Sequence, residues 1–158
     1  DKELGESSDV SLKKPQFIKY KLTSDKIKQV VDKIIVSDFN IVNYWKTNQF
    51  KNKNNLTDDD LKNILRTLTV KDYETNSKDT EGKYNEAIIF MKNTNIKNIK
   101  NIELYIKLDY DTIEDSPVIV ISFHSKSNLN TKKESFDKPL NGETKFENLE
   151  EIDMKRYL

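Results

Sequence analysis

The chain has few of the residues on which familiar sites are built. Its 158 residues include no cysteine, one histidine, three glycines and three prolines. The absence of cysteine excludes a disulfide framework, a thiolate metal site and a cysteine nucleophile. The glycines stand far apart, which excludes glycine-rich phosphate loops and dinucleotide-binding fingerprints. We therefore expect no cofactor and no bound metal.

The chain also lacks an excess of charge of either sign and a long apolar run. Its 27 basic residues balance 27 acidic ones, so no long-range field favours nucleic acid or an anionic membrane. Only Arg66 and Arg156 supply the planar fork that recognises phosphate. The lysine-rich and asparagine-rich composition resembles proteins of AT-rich genomes. No apolar run approaches the roughly 18 residues of a transmembrane helix. A protein or peptide partner remains open, as does the oligomeric state.

The length of 158 residues suits one domain. We divide the sequence into a flexible polar leader (1–14), an α+β domain (15–126) and a polar C-terminal extension packed on the domain (127–158), with a short helix at 148–157. The leader has nothing to bury. We therefore expect the mature part of an exported bacterial protein at the cell surface or outside the cell, tethered through a signal peptide or a lipidated cysteine, as in a lipoprotein.

Two amphipathic helices are predicted near the N-terminus. The first follows a candidate cap at Thr23 or Ser24, and its apolar residues recur at helical spacing. The second begins with a capping-box pattern at Thr57 and Asp60 and runs from Asp58 to about Leu68. Between them, 36–50 is predicted as a continued or kinked helix, with a strand as the alternative, and 51–55 as a polar break. The apolar stripe of the first helix consists of Ile27, Val30, Val31, Ile34 and Ile35.

The remainder of the domain shows strand patterns. Ile18, Tyr20 and Leu22 alternate with lysines, which predicts a short strand with those three residues inward. A loop is expected at 76–82 and a buried strand at 87–91, followed by a connection at 93–101. Residues 102–110 alternate strictly, which predicts one buried and one wet face near a sheet edge that could pair with a second copy. After a hairpin loop at 111–116, the apolar run 118–124 predicts a strand covered on both faces.

The fold class is α+β, with two N-terminal helices packed on an antiparallel sheet of about four to five strands. This order of elements resembles that of cystatin-like and NTF2-like domains over residues 15–126. The resemblance implies a roll in which a helix packs across a curved sheet. It rests on element order alone and transfers no function.

Histidine and carboxylate chemistry have one candidate each. His124 is the only histidine, and the favoured interpretation places it at the sheet rim without a catalytic partner. The hairpin loop 109–115 gathers Asp109, Asp111, Glu114 and Asp115 and could hold a hard cation, although a solvated turn is favoured. Residues 77–88 follow an EF-hand register with Gly82 in the sixth place, but Ile88 replaces the bidentate glutamate.

Candidate binding residues are the aromatic side chains of Tyr44, Trp45 and Phe50, because tyrosine and tryptophan are enriched at binding hot spots. Burial in the core is the favoured alternative. A row of lysines beside Tyr105 and Tyr110 is interpreted as an ordinary solvated face, and the sequon at Asn55 carries no weight in a bacterial host. The row consists of Lys92, Lys97, Lys100 and Lys107.

The sequence therefore favours a non-catalytic binding or assembly module that acts through a sheet face or a groove between helix and sheet. The alternative is an enzyme of unfamiliar type that uses His124 or the acidic loop 109–115 in a concave sheet. Nucleic-acid binding is the least favoured function because the net charge is zero.

Overall fold

The structure is a computed structural model that describes residues 16–128. Over this range the chain forms six strands and three helices. The strands are β1 (Phe17–Tyr20), β2 (Phe39–Ile41), β3 (Tyr73–Asp79), β4 (Ala87–Ile96), β5 (Ile99–Asp109) and β6 (Val118–Ser125). The helices are α1 (Ser24–Ile34), α2 (Trp45–Asn54) and α3 (Asp58–Leu65). The predicted leader (1–14), the C-terminal extension beyond residue 128 and the helix at 148–157 lie outside the described residues.

All six strands join one mixed sheet in the order β1-β3-β4-β5-β6-β2. Neighbouring strands are antiparallel, except that β2 runs parallel to β6. The predicted α+β class is confirmed. The predicted details need correction, because the domain has three helices rather than two, and six strands with one parallel pair rather than four to five antiparallel strands. Within the described range no helix is long and apolar enough to cross a bilayer.

Helix α1 forms where the sequence predicts it. The Thr23 side chain accepts a hydrogen bond from the backbone N–H of Lys26, which caps the first turn. Val30, Val31 and Ile34 are buried on one face of the helix. They join the main core between the helices and the sheet, where the strands contribute Ile88, Phe90, Leu104, Ile106, Leu108, Val118, Val120 and Phe123.

Helix α3 confirms the second predicted helix from its start at Asp58. Thr57 and Asp60 form a reciprocal capping box, and Leu61 and Leu65 enter the main core. The helix ends at Leu65, one turn before the predicted end near Leu68. The buried strand predicted at 87–91 and the apolar strand predicted at 118–124 are confirmed within β4 and β6. The connection at 93–101 is a tight β4–β5 hairpin, whose turn holds Lys97 at a positive φ of 51°.

The segment 36–50 is not the continued or kinked helix that the sequence favours, and part of it forms the strand that was the alternative. The chain leaves α1, forms the three-residue strand β2 and enters α2 only at Trp45. Helix α2 then runs through the predicted polar break to Asn54 and ends at Asn55 in the left-handed conformation (φ 56°). Phe50, the last buried residue of α2, anchors the helix in the main core just before its polar last turn. Tertiary packing therefore overrides a local pattern that favours a break.

The region 73–79 forms strand β3, whereas the sequence predicts a loop at 76–82. Thr75, Asn76 and Ser77 are buried in β3. A run of polar residues gives no apolar alternation, and hydrogen bonds make its burial tolerable, as when the Thr75 hydroxyl donates to the carbonyl of Tyr20 (3.0 Å). Strand β1 also forms where a strand is predicted, but with the opposite face inward, and it pairs with β3. Phe17 is buried, whereas Ile18 and Tyr20 remain 51% and 37% exposed.

Strand β5 is central rather than near an edge. It pairs with β4 on one side and β6 on the other, so it cannot pair with a second copy as predicted. Its expected wet face is also buried at Tyr105, Lys107 and Asp109. A second apolar cluster on this side of the sheet covers part of the face and includes Phe17, Val42, Tyr44, Trp45, Ala87 and Ile121.

One side-chain hydrogen bond closes the outer edge of β6. Strand β2 pairs with β6 only from Val118 to Val120, and helix α2 follows the edge beyond that point. There the backbone N–H of Phe123 donates to the Thr47 hydroxyl at 3.0 Å, and the bond is buried. The hydroxyl replaces a strand partner for a donor that has no access to water.

We expect Thr47→Val to lower the free energy of unfolding by about 1–3 kcal/mol, because it leaves the buried Phe123 N–H without an acceptor at nearly unchanged volume. Denaturant titration measures this loss. Thr94→Val in β4 is the matched control, since that half-buried hydroxyl contacts only the neighbouring Asn95 carbonyl at 3.4 Å, and it should shift stability by less than about 0.5 kcal/mol. Equal effects of the two substitutions would show that the edge bond does not contribute.

Candidate binding site

A polar cluster lies on the helix-covered face at the end of the sheet where β4 begins and β5 ends. The backbone N–H of Tyr110 donates to the Glu86 carbonyl at 2.9 Å, which extends the β4–β5 ladder and places the two residues side by side. Tyr20 of β1 lies opposite Asn76 of β3. Asn76 in turn lies opposite Ile88 of the main core, so its side chain points to the same face. We call Tyr20, Tyr73, Asn76, Glu86 and Tyr110 the tyrosine–glutamate site.

A chain of hydrogen bonds connects these side chains. The backbone N–H of Leu22, just before α1, donates to the Tyr73 hydroxyl at 3.0 Å. That hydroxyl donates to the Asn76 Oδ1 atom at 2.8 Å, and Asn76 Nδ2 donates to Glu86 Oε2 at 2.8 Å. The Tyr20 hydroxyl donates to the same Glu86 oxygen. The bonds therefore tie β1, β3 and the start of α1 to the residue that precedes β4.

The direction of these hydrogen bonds places an acceptor, the Glu86 carboxylate, at the end of the hydrogen-bonded series. Every proton in the chain points toward Glu86, and its Oε2 atom receives two donors. Among residues 16–128, the other oxygen, Oε1, accepts no hydrogen bond, and Glu86 forms no ion pair. Glu86 is half-buried and the adjoining Tyr20 is 37% exposed, so the site opens to solvent. The arrangement thus presents a positioned carboxylate oxygen.

The three tyrosines of the site lose their protons at higher pH than an ordinary tyrosine, because their pKa values are raised. Burial raises the pKa of Tyr20 far above its ordinary value, and the hydrogen bond and charge of Glu86 add to the shift. Burial is also the largest cause of the raised pKa values of Tyr73 and Tyr110, and the Glu86 charge contributes to both. The neighbouring carboxylates of Glu114 and Asp111 raise the pKa of Tyr110 further. The surroundings of the three hydroxyls are therefore negative.

His124 lies away from this site and inside the protein. It is completely buried in β6 rather than placed at an exposed rim, and its ring centroid lies 5.2 Å from that of Tyr105. Its Nδ1 donates to the carbonyl oxygen of Ser125 at 2.8 Å. His124 pairs with Tyr105, four residues along β5 from Asp109, which corresponds to a separation of about 13 Å. The structure does not bring the histidine and the acidic loop together.

The carboxylates of the acidic loop act in local structure. Asp109 is buried, accepts hydrogen bonds from Asn85 Nδ2 (2.8 Å) and the Asp111 N–H (3.0 Å), and caps the turn at 110–112. Asp111 accepts from the Glu86 N–H at 3.3 Å, and Glu114 forms an ion pair with Lys33, which lowers the pKa of Glu114. The solvated-turn interpretation therefore needs correction for Asp109.

The described residues hold no group of three or more side chains that could bind a metal ion. In the partial EF-hand register, the Asp79 carboxylate accepts hydrogen bonds from the backbone N–H groups of Glu81, Lys83 and Tyr84 at 2.8–3.0 Å. These bonds shape the turn around Gly82, which adopts a positive φ of 72°. Asp79 is thus occupied by its own turn.

The aromatic candidates Tyr44, Trp45 and Phe50 are all buried. Tyr44 and Trp45 belong to the second apolar cluster, whereas Phe50 belongs to the main core, so the structure does not gather them into one surface. Their burial agrees with the alternative that the sequence favoured, and a binding role for them stays untested. The predicted solvated lysine face is wrong for Lys107, which is buried, while Lys92 and Lys97 form ion pairs with Asp72 and Asp60.

Sequence reasoning missed the tyrosine–glutamate site. Its residues come from four separate segments, and Asn76 fell in a stretch expected to be a loop. Tyr110 is predicted as the last residue of the alternating strand 102–110 and as a neighbour of the lysine row, with no link to Glu86. A signal was present in the tyrosines that end β1, begin β3 and follow β5, but no spacing rule joins residues that far apart in the chain.

Comparison with known proteins identifies no relative of this chain, because no protein-family model, curated protein or solved structure matches it. The cystatin-like or NTF2-like label consequently rests on element order alone.

We expect Tyr20 to ionise at lower pH in Glu86→Gln than in the unmodified protein, because the substitution removes the charge that opposes ionisation. NMR of protein labelled at the tyrosine Cζ carbons follows each of the seven tyrosines through an alkaline titration. Glu81→Gln in the exposed β3–β4 turn makes the same change in net charge and should leave Tyr20 unchanged.

The raised pKa of Tyr20 also makes the free energy of unfolding depend on pH. The folded pKa of Tyr20 lies above the unfolded value of 10.0, so its contribution to folding is complete below pH 10 and declines as pH rises toward the folded pKa. Identical Tyr20 titrations in the unmodified protein and Glu86→Gln would contradict the coupling.

Proposed function

We propose that this domain is a non-catalytic binding module that takes its ligand at the tyrosine–glutamate site. The observation that carries the proposal is the Glu86 carboxylate, which two side-chain donors hold by one oxygen, while the other oxygen accepts no hydrogen bond from residues 16–128 and lies near the partly exposed Tyr20. Pre-positioned polar groups of this kind raise affinity, because less conformational freedom is lost on binding.

The surface beside Glu86 favours a protein or peptide as the ligand. Ile18 and Tyr20 are large hydrophobic residues that remain 51% and 37% exposed on adjoining positions of the same face of β1. An aromatic and an aliphatic side chain next to a polar centre supply the mixed contacts that protein interfaces use. Their exposure on a strand that is otherwise anchored by Phe17 supports a role outside the core.

Binding is favoured over catalysis because the residues of the enzyme alternative are engaged elsewhere. His124 is fully buried and lies along the sheet from the acidic loop, whose Asp109 and Glu114 carboxylates are used in hydrogen bonds and an ion pair. At the tyrosine–glutamate site, Tyr20 and Tyr73 have already donated their single hydroxyl protons to Glu86 and Asn76. A general acid needs a proton that it can give to a substrate, and the protons of these two tyrosines are already engaged.

An assembly role at the surface of a bacterial cell extends the proposal. It is supported by the polar composition of 1–14 and by the lysine-rich and asparagine-rich composition of the chain, which resembles that of proteins from AT-rich genomes. The coding sequence upstream of Asp1 tests it: a hydrophobic leader or a lipidation motif is expected, and a start codon directly before Asp1 would contradict export.

Binding at the site is tested by titrating the 15N-labelled protein with a library of small soluble fragments and following backbone amide shifts by NMR. We expect the fragments that bind to perturb the amides of Ile18, Tyr20, Glu86 and Tyr110 together, because ligand pockets concentrate the affinity of a surface. Ile18→Ser should weaken their binding, since it removes the exposed apolar neighbour.

Val36→Ser is the matched control, since Val36 is 81% exposed and belongs to the connection after α1. It should leave fragment binding unchanged. Fragments that gather at Val36, or that spread over the surface without reaching Glu86, would contradict a binding role for the tyrosine–glutamate site.

A further inference from the structure

We infer that the ligand group bound by the tyrosine–glutamate site is a cation, namely a lysine or arginine side chain of a protein partner. This inference rests on the proposed binding function and gives the ligand its chemistry. Three independent features lead to it: the charge around the site, the direction of its hydrogen bonds and the apolar surface next to it.

The charge around the site is negative. Glu86, Asp111 and Glu114 all act electrostatically on Tyr110. Of the three lysines of α1, Lys33 pairs with Glu114, Lys26 also acts on that carboxylate, and Lys28 pairs with Asp32. Within the described part of the chain, Glu86 and Asp111 form no ion pair. A cation that approaches them from outside is attracted, whereas an anion is repelled.

The hydrogen-bond directions select the same charge. An anionic ligand needs donors, but the Tyr20 proton is directed to Glu86 and the Tyr73 proton to Asn76. Asn76 donates one amide hydrogen to Glu86 and is completely buried, so among residues 16–128 Tyr110 is the partly exposed member of the cluster that still has a side-chain proton to offer. A cationic ligand needs acceptors, and Glu86 Oε1 is one that has no donor among residues 16–128. Hydrogen bonds between an ammonium or guanidinium group and a carboxylate are about twice as strong as neutral ones.

The adjoining apolar surface distinguishes a protein side chain from a small free cation. Lysine and arginine carry their charge on aliphatic stems that cover apolar surface while the charged head reaches a polar partner. Ile18 is 51% exposed and stands two residues before Tyr20 on the same face of β1, where it can contact such a stem. Tyrosine rings add attraction for a cation within about 6 Å of the ring centre.

The test uses three capped amino acids as probes: N-acetyl-lysine methylamide, N-acetyl-arginine methylamide and the neutral N-acetyl-norleucine methylamide. Each is titrated into the 15N-labelled protein at fixed ionic strength, and the amide shifts of Glu86 and Tyr110 are followed. We expect saturable binding of the two cationic probes and at least about tenfold weaker binding of the norleucine probe, the ratio that a charge-assisted hydrogen bond supports.

Variants assign the effect to Glu86. Glu86→Gln keeps an oxygen that can accept the Tyr20 and Asn76 protons but removes the charge, so it should weaken the cationic probes about tenfold and leave the norleucine probe unchanged. Glu81→Gln matches the change in net charge at an exposed turn and should change neither. The amide spectrum of each variant shows whether the fold is retained, and Asp111→Asn provides a second removal of charge if Glu86→Gln unfolds.

The outcomes separate this inference from the proposed function. If the norleucine probe binds as well as the lysine probe, or if Glu86→Gln changes nothing, the cation inference is overturned while fragment binding can still support the site. Binding of tetramethylammonium without binding of the lysine and arginine probes would overturn a protein side chain as the ligand. Failure of both the fragments and the probes at Glu86 would overturn the site itself.

Discussion

The fold depends on the connection between β1 and β2, which crosses the sheet from one edge strand to the other. Strands β1 and β2 follow each other closely in the chain but lie at opposite ends of the six-stranded order, about 24 Å apart at normal strand spacing. The connection between them contains α1, whose eleven residues span about 16 Å. The helix must therefore cross the sheet, and its apolar stripe covers the core face on the way. The parallel pairing of β2 with β6 follows from the same crossing, and α2 then covers the part of the β6 edge that β2 is too short to reach.

The crossing also determines where the sheet stays open. Helix α1 begins beside Tyr73, whose hydroxyl accepts a hydrogen bond from the Leu22 N–H. Its last turn lies near the start of β6, where Lys33 pairs with Glu114. Ile18 and Tyr20 at the β1 end of the face remain exposed. Hydrogen bonds replace apolar packing at this corner. Asn76 is fully buried there, and both its amide oxygen and its amide nitrogen form hydrogen bonds. The polar corner is consequently part of the fold as well as a candidate for binding.

Sequence patterns predicted the elements whose signals are local. The stripe of α1, the capping box at Thr57 and Asp60, and the apolar run of β6 each depend on residues within one element. They failed where long-range contacts decide the structure. Strand β3 is buried although its residues are polar. Strand β5 buries the face that its alternation predicts to be wet. Helix α2 continues through lysines and asparagines because Phe50 anchors it. The tyrosine–glutamate site is the extreme case, since Tyr20 and Glu86 are 66 positions apart and only the sheet order brings them together.

Glu86 connects the structural role of this corner with the binding role that we propose for it. Its Oε2 atom holds Tyr20 of the terminal strand and Asn76 of β3, so the position of Oε1 is defined only when β1, β3 and the start of β4 are assembled. A ligand that binds Oε1 therefore binds the folded corner and not the unfolded chain, and it stabilises that corner by mass action. Conversely, loss of the Tyr20 bond would free the carboxylate to rotate and reduce its pre-organisation for a ligand. The proposed recognition at this site and the docking of β1 onto the sheet therefore depend on the same hydrogen bonds.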